Sequence, residues 1–89
     1  MTALVTGAGK RLGRAMALYL AGRGHDLALH YASSRDAAES LAAEIREMGR
    51  RAECFQADLL AETEVQALIP AATAALGPLT VLINNASIF

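Results

Sequence analysis

The sequence predicts an α/β fold built around a doubly wound parallel sheet. Short apolar runs typical of strands alternate with longer segments of helical period along the chain. The connections between these segments are short, and none carries the hairpin turn signal that adjacent antiparallel strands would need. The predicted order is therefore β-α-β-α-β-α-β, in which right-handed crossover helices join parallel strands.

The first strand is predicted over residues 3–6 and the first helix over residues 12–23. The helix is indicated by apolar residues at spacings of three and four, which are Leu12, Ala15, Met16 and Tyr19. Gly22 and Gly24 are expected to end this helix, because glycine readily adopts the backbone conformation that terminates one. Residues 27–31 then form an apolar run that predicts the second strand.

The second helix is predicted to begin at an N-cap supplied by Ser33 or Ser34 and to end at Gly49. Its apolar stripe consists of Ala38, Leu41, Ala42 and Ile45. The third strand is predicted over residues 51–57, where the evidence is a single apolar pair at the centre.

The third helix is predicted over residues 62–76, and Pro70 within it is expected to kink or break the helix. The apolar residues on one face of this helix are Val65, Leu68, Ile69, Ala72 and Leu76. Residues 79–83 form a continuous apolar run, which is typical of a strand buried on both faces.

Composition and charge exclude several classes of protein. The 89 residues are 54% hydrophobic with a net charge of -1, which excludes a disordered chain. Lys and Arg number 8 against 9 Asp and Glu, so we expect neither nucleic acid nor a membrane surface as a partner. One cysteine and no Cys/His cluster predict no disulfide, no metal site and a cytoplasmic protein. The first strand starts by Thr2, so no signal peptide is expected.

The glycine-rich turn between the first strand and the first helix is the most informative feature of the sequence. Gly7 can adopt a left-handed backbone conformation that keeps the turn tight. Gly13, one turn into the helix, allows the helix to approach the sheet closely. In a Rossmann-type fold the N–H groups at this helix N-terminus suit a pyrophosphate. The alternative is a tight turn without a ligand, which the strand–turn–helix context disfavours.

The residues of this turn resemble a family signature. The pattern Thr6-Gly7-x-x-x-Arg11-x-Gly13 is similar to the Thr-Gly-x-x-x-Gly-x-Gly motif of short-chain dehydrogenases/reductases. Arg11 stands in place of the middle glycine of that motif. The resemblance implies an oxidoreductase that uses a nicotinamide cofactor.

Two later segments extend the resemblance. Asp58 and Leu59 resemble the Asp-Leu pair that follows the third strand in this family and contacts the adenine. The Asn-Asn-Ala-Ser sequence at residues 84–87 resembles the family's Asn-Asn-Ala-Gly motif, with Ser87 in place of the glycine. The resemblance implies that residues 1–89 are the N-terminal part of a single dinucleotide-binding domain, whose catalytic half lies outside them.

Arg11 and Ser87 together are similar to the pteridine reductase branch of the family. In that branch the arginine reaches a cofactor phosphate and the pterin, and the serine lies between cofactor and substrate. A phenylalanine two residues beyond the serine stacks on the pterin ring, and Phe89 occupies that position here. The His30-Tyr31 pair also resembles this branch. Arg11, Ser87 and Phe89 are therefore the expected substrate-binding residues, although Arg11 and Ser87 equally fit reductases of other substrates.

The end of the second strand predicts NADP(H) in preference to NAD(H). Enzymes that use NAD place an acidic residue there for the ribose 2′-OH, and residues 30–35 contain none. A 2′-phosphate needs cations and hydrogen-bond donors instead, which Lys10 and Arg11 on the turn and residues 33–35 on the facing loop would supply. The alternative is that these cations are merely solvated. The expected cofactor-binding residues are Gly7, Gly9, Lys10, Arg11, Leu12, Gly13, His30, Tyr31, Ser33, Ser34, Asp58, Leu59, Asn85, Ala86 and Ser87.

Three side chains have competing interpretations. His30 either lines the adenosine pocket or is a hydrogen-bonded histidine at the end of a strand. Asp58 either contacts the adenine or caps a turn. Cys54 is expected to be an inert strand residue, because no base is paired with its thiol.

The catalytic pair of the resembled family is absent from the sequence. That chemistry uses Tyr-x-x-x-Lys, but Tyr19 is followed at this spacing by Arg23 and Tyr31 by Arg35. The expected function is reduction of a carbonyl or pteridine-type small molecule by hydride transfer from NADPH, with the catalytic residues unknown and outside this chain. The resemblance implies a homo-oligomer, either a dimer or a tetramer. The alternatives are a non-catalytic dinucleotide-binding module and a flavodoxin-like domain without nicotinamide binding.

Overall fold

The elements of the structure, a computed structural model that describes residues 1–85, follow the predicted order. They are β1 (Thr2–Val5), α1 (Arg11–Gly22), β2 (Asp26–Tyr31), α2 (Arg35–Glu47), β3 (Ala52–Gln56), α3 (Glu62–Leu76) and β4 (Leu79–Ile83). The bounds of α3 and β4 are those predicted from the sequence, and the others differ by only one or two residues at an end.

The four strands form one parallel sheet in the order β3-β2-β1-β4. Val5 of β1 pairs with Leu29 of β2 on one side and with Ile83 of β4 on the other. Strands β2 and β3 are therefore added on one side of β1, and β4 is added on its other side. In such a sheet a crevice opens where the order reverses, at the carboxyl ends of β1 and β4.

Two hydrophobic clusters lie on the two faces of the sheet, as expected for a doubly wound fold. The first cluster packs α1 and α2 on one face, and its largest members are Val5, Leu27, Leu29, Leu41 and Ile45. The second cluster packs α3 on the other face and consists of Leu4, Ala28, Leu68, Ala72 and Leu76. Leu4 and Val5 are neighbours in sequence but belong to different clusters, because successive side chains of a strand point to opposite faces.

Helix α1 packs on the sheet through its small residues and not through the apolar stripe that predicted it. Gly13, Ala17 and Ala21 are buried, whereas Leu12 is 60% exposed and Tyr19 is 65% exposed. Small residues let the helix axis approach the sheet, and the bulkier side chains then lie on its outer side. The periodicity therefore locates the helix correctly but indicates the wrong face.

Strand β4 differs from its prediction as a strand buried on both faces. It is the last strand in the sheet order, and Leu82 is 56% exposed. In residues 1–85 only β1 pairs with β4, and the residues of β4 alternate between half-buried and exposed. An apolar strand sequence does not distinguish a central position from an edge position.

Helix α3 continues through Pro70, which was expected to kink or break it. Pro70 is exposed, so its ring projects into solvent. Leu68 on one side and Ala72 and Leu76 on the other are buried against the sheet. We attribute the continuity of the helix to this packing, which offsets the backbone hydrogen bond that proline cannot make. None of the helices in residues 1–85 combines the length and apolar character that crossing a membrane would require.

Candidate dinucleotide-binding site

The carboxyl ends of all four strands meet at one edge of the sheet, as a parallel order requires. Beyond the end of β1, the Thr6 N–H donates to the Ile83 carbonyl oxygen at 3.0 Å, which holds the start of the glycine turn against β4. Residues 57–59 follow β3 at the same edge, and residues 84–85 follow β4. The segments predicted to bind the cofactor are therefore brought together, as far as the described residues extend.

The glycine turn has the conformation predicted for it. Gly7 has φ +65°, in the left-handed region that favours glycine, and its carbonyl oxygen accepts the Lys10 N–H at 3.2 Å. Lys10 is the N-cap residue of α1 and makes no side-chain capping hydrogen bond. Lysine has no side-chain acceptor, and the first N–H groups of a helix have no partner within it. The start of α1 therefore presents backbone donors and a partial positive charge at this edge.

Gly13 sits where any side chain would collide with the backbone of the turn. An ideal Cβ atom at this position would lie 2.4 Å from the Gly7 carbonyl oxygen and 2.8 Å from Asn85 Nδ2. Contacts this short do not occur for real Cβ atoms, so only glycine fits without movement of the backbone. The close approach predicted for Gly13 is confirmed, and the atom that it approaches belongs to Gly7.

Gly9 packs against the loop that faces the turn. A Cβ atom at Gly9 would lie 3.2 Å from Ser34 Cβ and 3.3 Å from Ala37 Cβ, at the beginning of α2. The turn and the facing loop therefore approach each other at Ser34. Lys10, Arg11, Ser33, Ser34 and Arg35 are all exposed, so their side chains are accessible to a ligand. Ser34 is also the N-cap residue of α2, but its hydroxyl makes no capping hydrogen bond.

The Thr6 hydroxyl joins the glycine turn to the end of β4. It accepts the Asn85 N–H at 2.9 Å and lies 3.2 Å from Asn84 Oδ1, to which it can donate. Asn85 Nδ2 in turn donates to the Gly7 carbonyl oxygen at 3.3 Å. Thr6 belongs to the glycine-turn motif and Asn84 to the Asn-Asn-Ala-Ser segment, although neither was among the expected cofactor-binding residues. The signal that identifies them is a hydroxyl at the end of one strand facing two amides at the end of another.

We expect Thr6→Val to lower the free energy of unfolding by about 1–3 kcal/mol, because the half-buried Asn85 N–H loses its acceptor. Urea denaturation followed by circular dichroism measures this change. Thr73→Val is the matched control, since it makes the same atomic change at an exposed position of α3 and should shift stability by less than about 0.5 kcal/mol. Equal losses in the two variants would contradict the structural role of the Thr6 hydroxyl.

Asp58 makes the turn contacts that were the alternative to a role in binding. Its Oδ1 accepts the Leu60 N–H at 2.9 Å, and its own N–H donates to Glu64 Oε1 at 2.9 Å. The side chain of Leu59 packs against the second cluster. The exposed carboxylate of Asp58 retains acceptor capacity beyond this one bond.

His30 and Tyr31 end β2 in different environments. Tyr31 is half-buried, whereas His30 is 1% exposed. His30 Nδ1 accepts the Gly7 N–H at 3.0 Å, and Nε2 lies 2.9 Å from the Ala57 carbonyl oxygen. Both ring nitrogens are therefore occupied by the backbone, which agrees with the interpretation of His30 as a hydrogen-bonded histidine at a strand end.

Asp26, the acidic residue of β2, lies away from the phosphate side of the site. Asp26 begins β2 at the opposite edge of the sheet, where Oδ2 accepts from Arg51 Nε at 3.1 Å. The hydrogen bond from the Arg51 backbone N–H, assisted by the Arg51 guanidinium, holds the pKa of the Asp26 carboxyl below its ordinary value. Within residues 1–85 no group of three or more His, Cys, Asp or Glu side chains has the arrangement of a metal site. Ala86, Ser87 and Phe89 lie outside the described residues.

Cys54 is half-buried in β3, and burial together with nearby Glu39 raises the pKa of its thiol to about 12. At pH 8 we therefore expect Cys54 to react with iodoacetamide about 1000-fold more slowly than an unperturbed cysteine, because the thiolate is the reactive form. Mass spectrometry of the native and urea-unfolded chain measures the two rates. Equal rates in the two states would contradict the raised pKa.

The sequence of this chain is similar to those of known proteins. The family model described as short chain dehydrogenase matches residues 1–89. A curated relative, the 3-oxoacyl-(acyl-carrier-protein) reductase FabG of Staphylococcus aureus strain Mu50, is 41% identical over 87 residues. That match covers 98% of this chain and 35% of the relative, so the chain spans about a third of the length of this reductase.

Two solved structures resemble the whole described fold. A blue fluorescent protein from a metagenomic library, crystallised with NADPH, has a TM-score of 0.94 at 40% identity. FolM alternative dihydrofolate reductase 1 of Brucella suis, crystallised with NADP, has a TM-score of 0.91 at 39% identity. Each match covers 99% of this chain and 36% of the other.

Proposed function

The chain belongs to the short-chain dehydrogenase family, and from this premise we propose that it forms the cofactor-binding part of an NADP(H)-dependent oxidoreductase. The observation that carries the proposal is the contact of Gly13 with the Gly7 carbonyl oxygen and Asn85. This contact draws the start of α1 onto the carboxyl ends of β1 and β4, where the sheet opens a crevice. The glycines of the turn have no side chains that would fill the space in front of this helix end. A pyrophosphate can therefore approach the backbone N–H groups there.

The preference for NADPH follows from the charges that face the crevice. No acidic residue ends β2 or begins the loop over residues 32–35, so a ribose 2′-OH has no carboxylate partner there. Lys10 and Arg11 are exposed on the turn, and Ser34 lies against Gly9 across from them. These groups suit a 2′-phosphate, and two similar proteins were crystallised with NADPH or NADP.

Each expected cofactor contact except His30 keeps a distinct role in this proposal. Gly7, Gly9, Leu12 and Gly13 shape the turn, while Lys10, Arg11, Ser33 and Ser34 hold phosphates. Asp58 and the backbone of Leu59 receive the adenine, and Tyr31 borders the adenosine. Asn85, Ala86 and Ser87 face the ribose and the nicotinamide.

The proposed reaction is hydride transfer from NADPH to a carbonyl or pteridine-type substrate. The bound nicotinamide supplies the hydride, and the protein supplies binding, orientation and electrostatics. One relative is by its name a reductase of a 3-oxoacyl group and another an alternative dihydrofolate reductase, so both a ketone and a pteridine are candidate substrates. Arg11, Ser87 and Phe89 are the proposed substrate contacts. We further propose that the protein is cytoplasmic and acts as a dimer or tetramer.

A steady-state assay tests this proposal. Oxidation of NADPH, followed by nicotinamide absorbance, is measured with a 3-oxoacyl thioester and with a dihydropteridine, using the whole protein of which this chain is the proposed cofactor-binding part. Turnover of either substrate supports the proposed function. Binding of NADPH without turnover would favour a non-catalytic module, which the absence of a Tyr-x-x-x-Lys sequence in this chain also allows.

A further inference from the structure

His30 is a buried polar group whose whole hydrogen-bonding capacity is directed at the backbone. The ring is 1% exposed, Nδ1 lies 3.0 Å from the Gly7 nitrogen, and Nε2 lies 2.9 Å from the Ala57 carbonyl oxygen. The Gly7 N–H can only donate, so Nδ1 carries no proton. The proton is therefore on Nε2 and is donated to Ala57.

The ring connects the two segments of the site that flank β2. Gly7 opens the glycine turn after β1, and Ala57 follows β3 immediately before Asp58. The backbone carbonyl of His30 adds a further bond to the turn, accepting the Ala8 N–H at 2.9 Å. Gly7 is thus held from both sides, because its carbonyl oxygen receives Asn85 Nδ2 while its N–H donates to the ring.

We propose that His30 is a positioning residue for the cofactor and does not contact it. In its Nε2–H tautomer the ring accepts the Gly7 N–H and so holds Gly7 in place. Gly13 packs against the carbonyl oxygen of the same residue. The Gly7 N–H is consequently committed to the ring, so the phosphate is held by amides later in the turn. The same ring holds the carbonyl of Ala57 and so fixes the strand end that leads to Asp58. This inference rests on the proposed binding of NADP(H).

Three substitutions separate the two ring contacts. His30→Leu removes both acceptor and donor, and we expect the NADPH dissociation constant to rise about tenfold or more. His30→Asn places an amide oxygen near the position of Nδ1 and should retain most of the affinity, within about threefold. His30→Gln places an amide nitrogen near the position of Nε2, loses the Gly7 contact and should resemble the leucine variant.

His25→Leu is the matched control for these variants. His25 is also buried and also contacts backbone through its ring, with Nδ1 3.3 Å from the Leu20 carbonyl oxygen. It precedes β2 at the opposite end of the strand from the site. We expect this variant to lose stability but to keep the NADPH dissociation constant within about twofold of wild type.

NADPH fluorescence titration of the full chain measures the affinities, and ¹⁵N NMR of the wild type tests the hydrogen bond directly. We expect an unprotonated Nδ1 with a scalar coupling to the Gly7 amide nitrogen. A protonated Nδ1, or a folded His30→Leu variant that binds NADPH like wild type, would overturn the positioning role alone. Equal weakening in His25→Leu would also overturn it. If wild type binds no nucleotide, the proposed function itself fails.

Discussion

Gly13→Ala is expected to destabilise the fold by about 3 kcal/mol and to abolish detectable NADPH binding. The added Cβ atom would lie 2.4 Å from the Gly7 carbonyl oxygen. The obstacle is backbone, so no side-chain rotation relieves the clash. Helix α1 must move away from the sheet, which removes its N-terminal N–H groups from the crevice. Thermal unfolding and NADPH fluorescence titration measure the two effects.

Gly22→Ala is the matched control in the same helix. Among residues 1–85, the atom nearest to a Cβ added there would be Met48 Cε at 4.0 Å, so the site is open. Alanine favours the helix over glycine, and we expect this variant to gain about 0.5–1 kcal/mol of stability with unchanged NADPH affinity. If Gly13→Ala were as stable as Gly22→Ala and bound NADPH normally, the close approach of α1 to the turn would be contradicted.

Lys10→Glu is expected to reduce the preference for NADPH over NADH about 30-fold. Lys10 is the N-cap residue of α1, is exposed, and is the lysine proposed to meet the 2′-phosphate. A charge-assisted hydrogen bond contributes about 1.5–3 kcal/mol, and the new carboxylate would repel the phosphate in addition. NADH lacks the 2′-phosphate, so its affinity should change far less. The ratio of the two dissociation constants is the measurement.

Arg23→Glu provides the control for net charge, because it makes the same change of charge at the C-cap of the same helix. We expect its ratio of dissociation constants to stay close to that of wild type. Added salt should diminish the effect of Lys10→Glu, because salt screens exposed charges. An equal loss of preference in both variants would show that the overall charge of the chain, and not a local contact, sets the choice of cofactor.

The sequence predicts those parts of the fold that depend on local patterns. Helix α3 has its predicted bounds because its apolar spacing and the Gly77-Pro78 sequence that follows it are both local signals. Gly7 and Gly13 were assigned their roles because a strand, a glycine turn and a helix follow one another within a few residues. The edge at which the site forms follows from the parallel order alone.

Features that depend on contacts distant in sequence could not be predicted in the same way. The core-facing side of α1 consists of Gly13, Ala17 and Ala21, whose small size matters only once the distance to the sheet is known. The environment of His30 depends on Gly7 and Ala57, which lie 23 and 27 residues away in the chain. The exposure of β4 depends on which elements flank it, and its own apolar sequence does not reveal this.

Isothermal titration calorimetry of the full chain with NADPH and with NADH tests the central claim most directly. The account predicts saturable one-to-one binding of NADPH with a dissociation constant at least about tenfold lower than that for NADH, the ratio that one lost charge-assisted contact implies. The absence of saturable heat with either nucleotide would contradict binding at the glycine turn. Tighter binding of NADH would contradict the assignment of Lys10 and the loop at residues 33–35 to a 2′-phosphate.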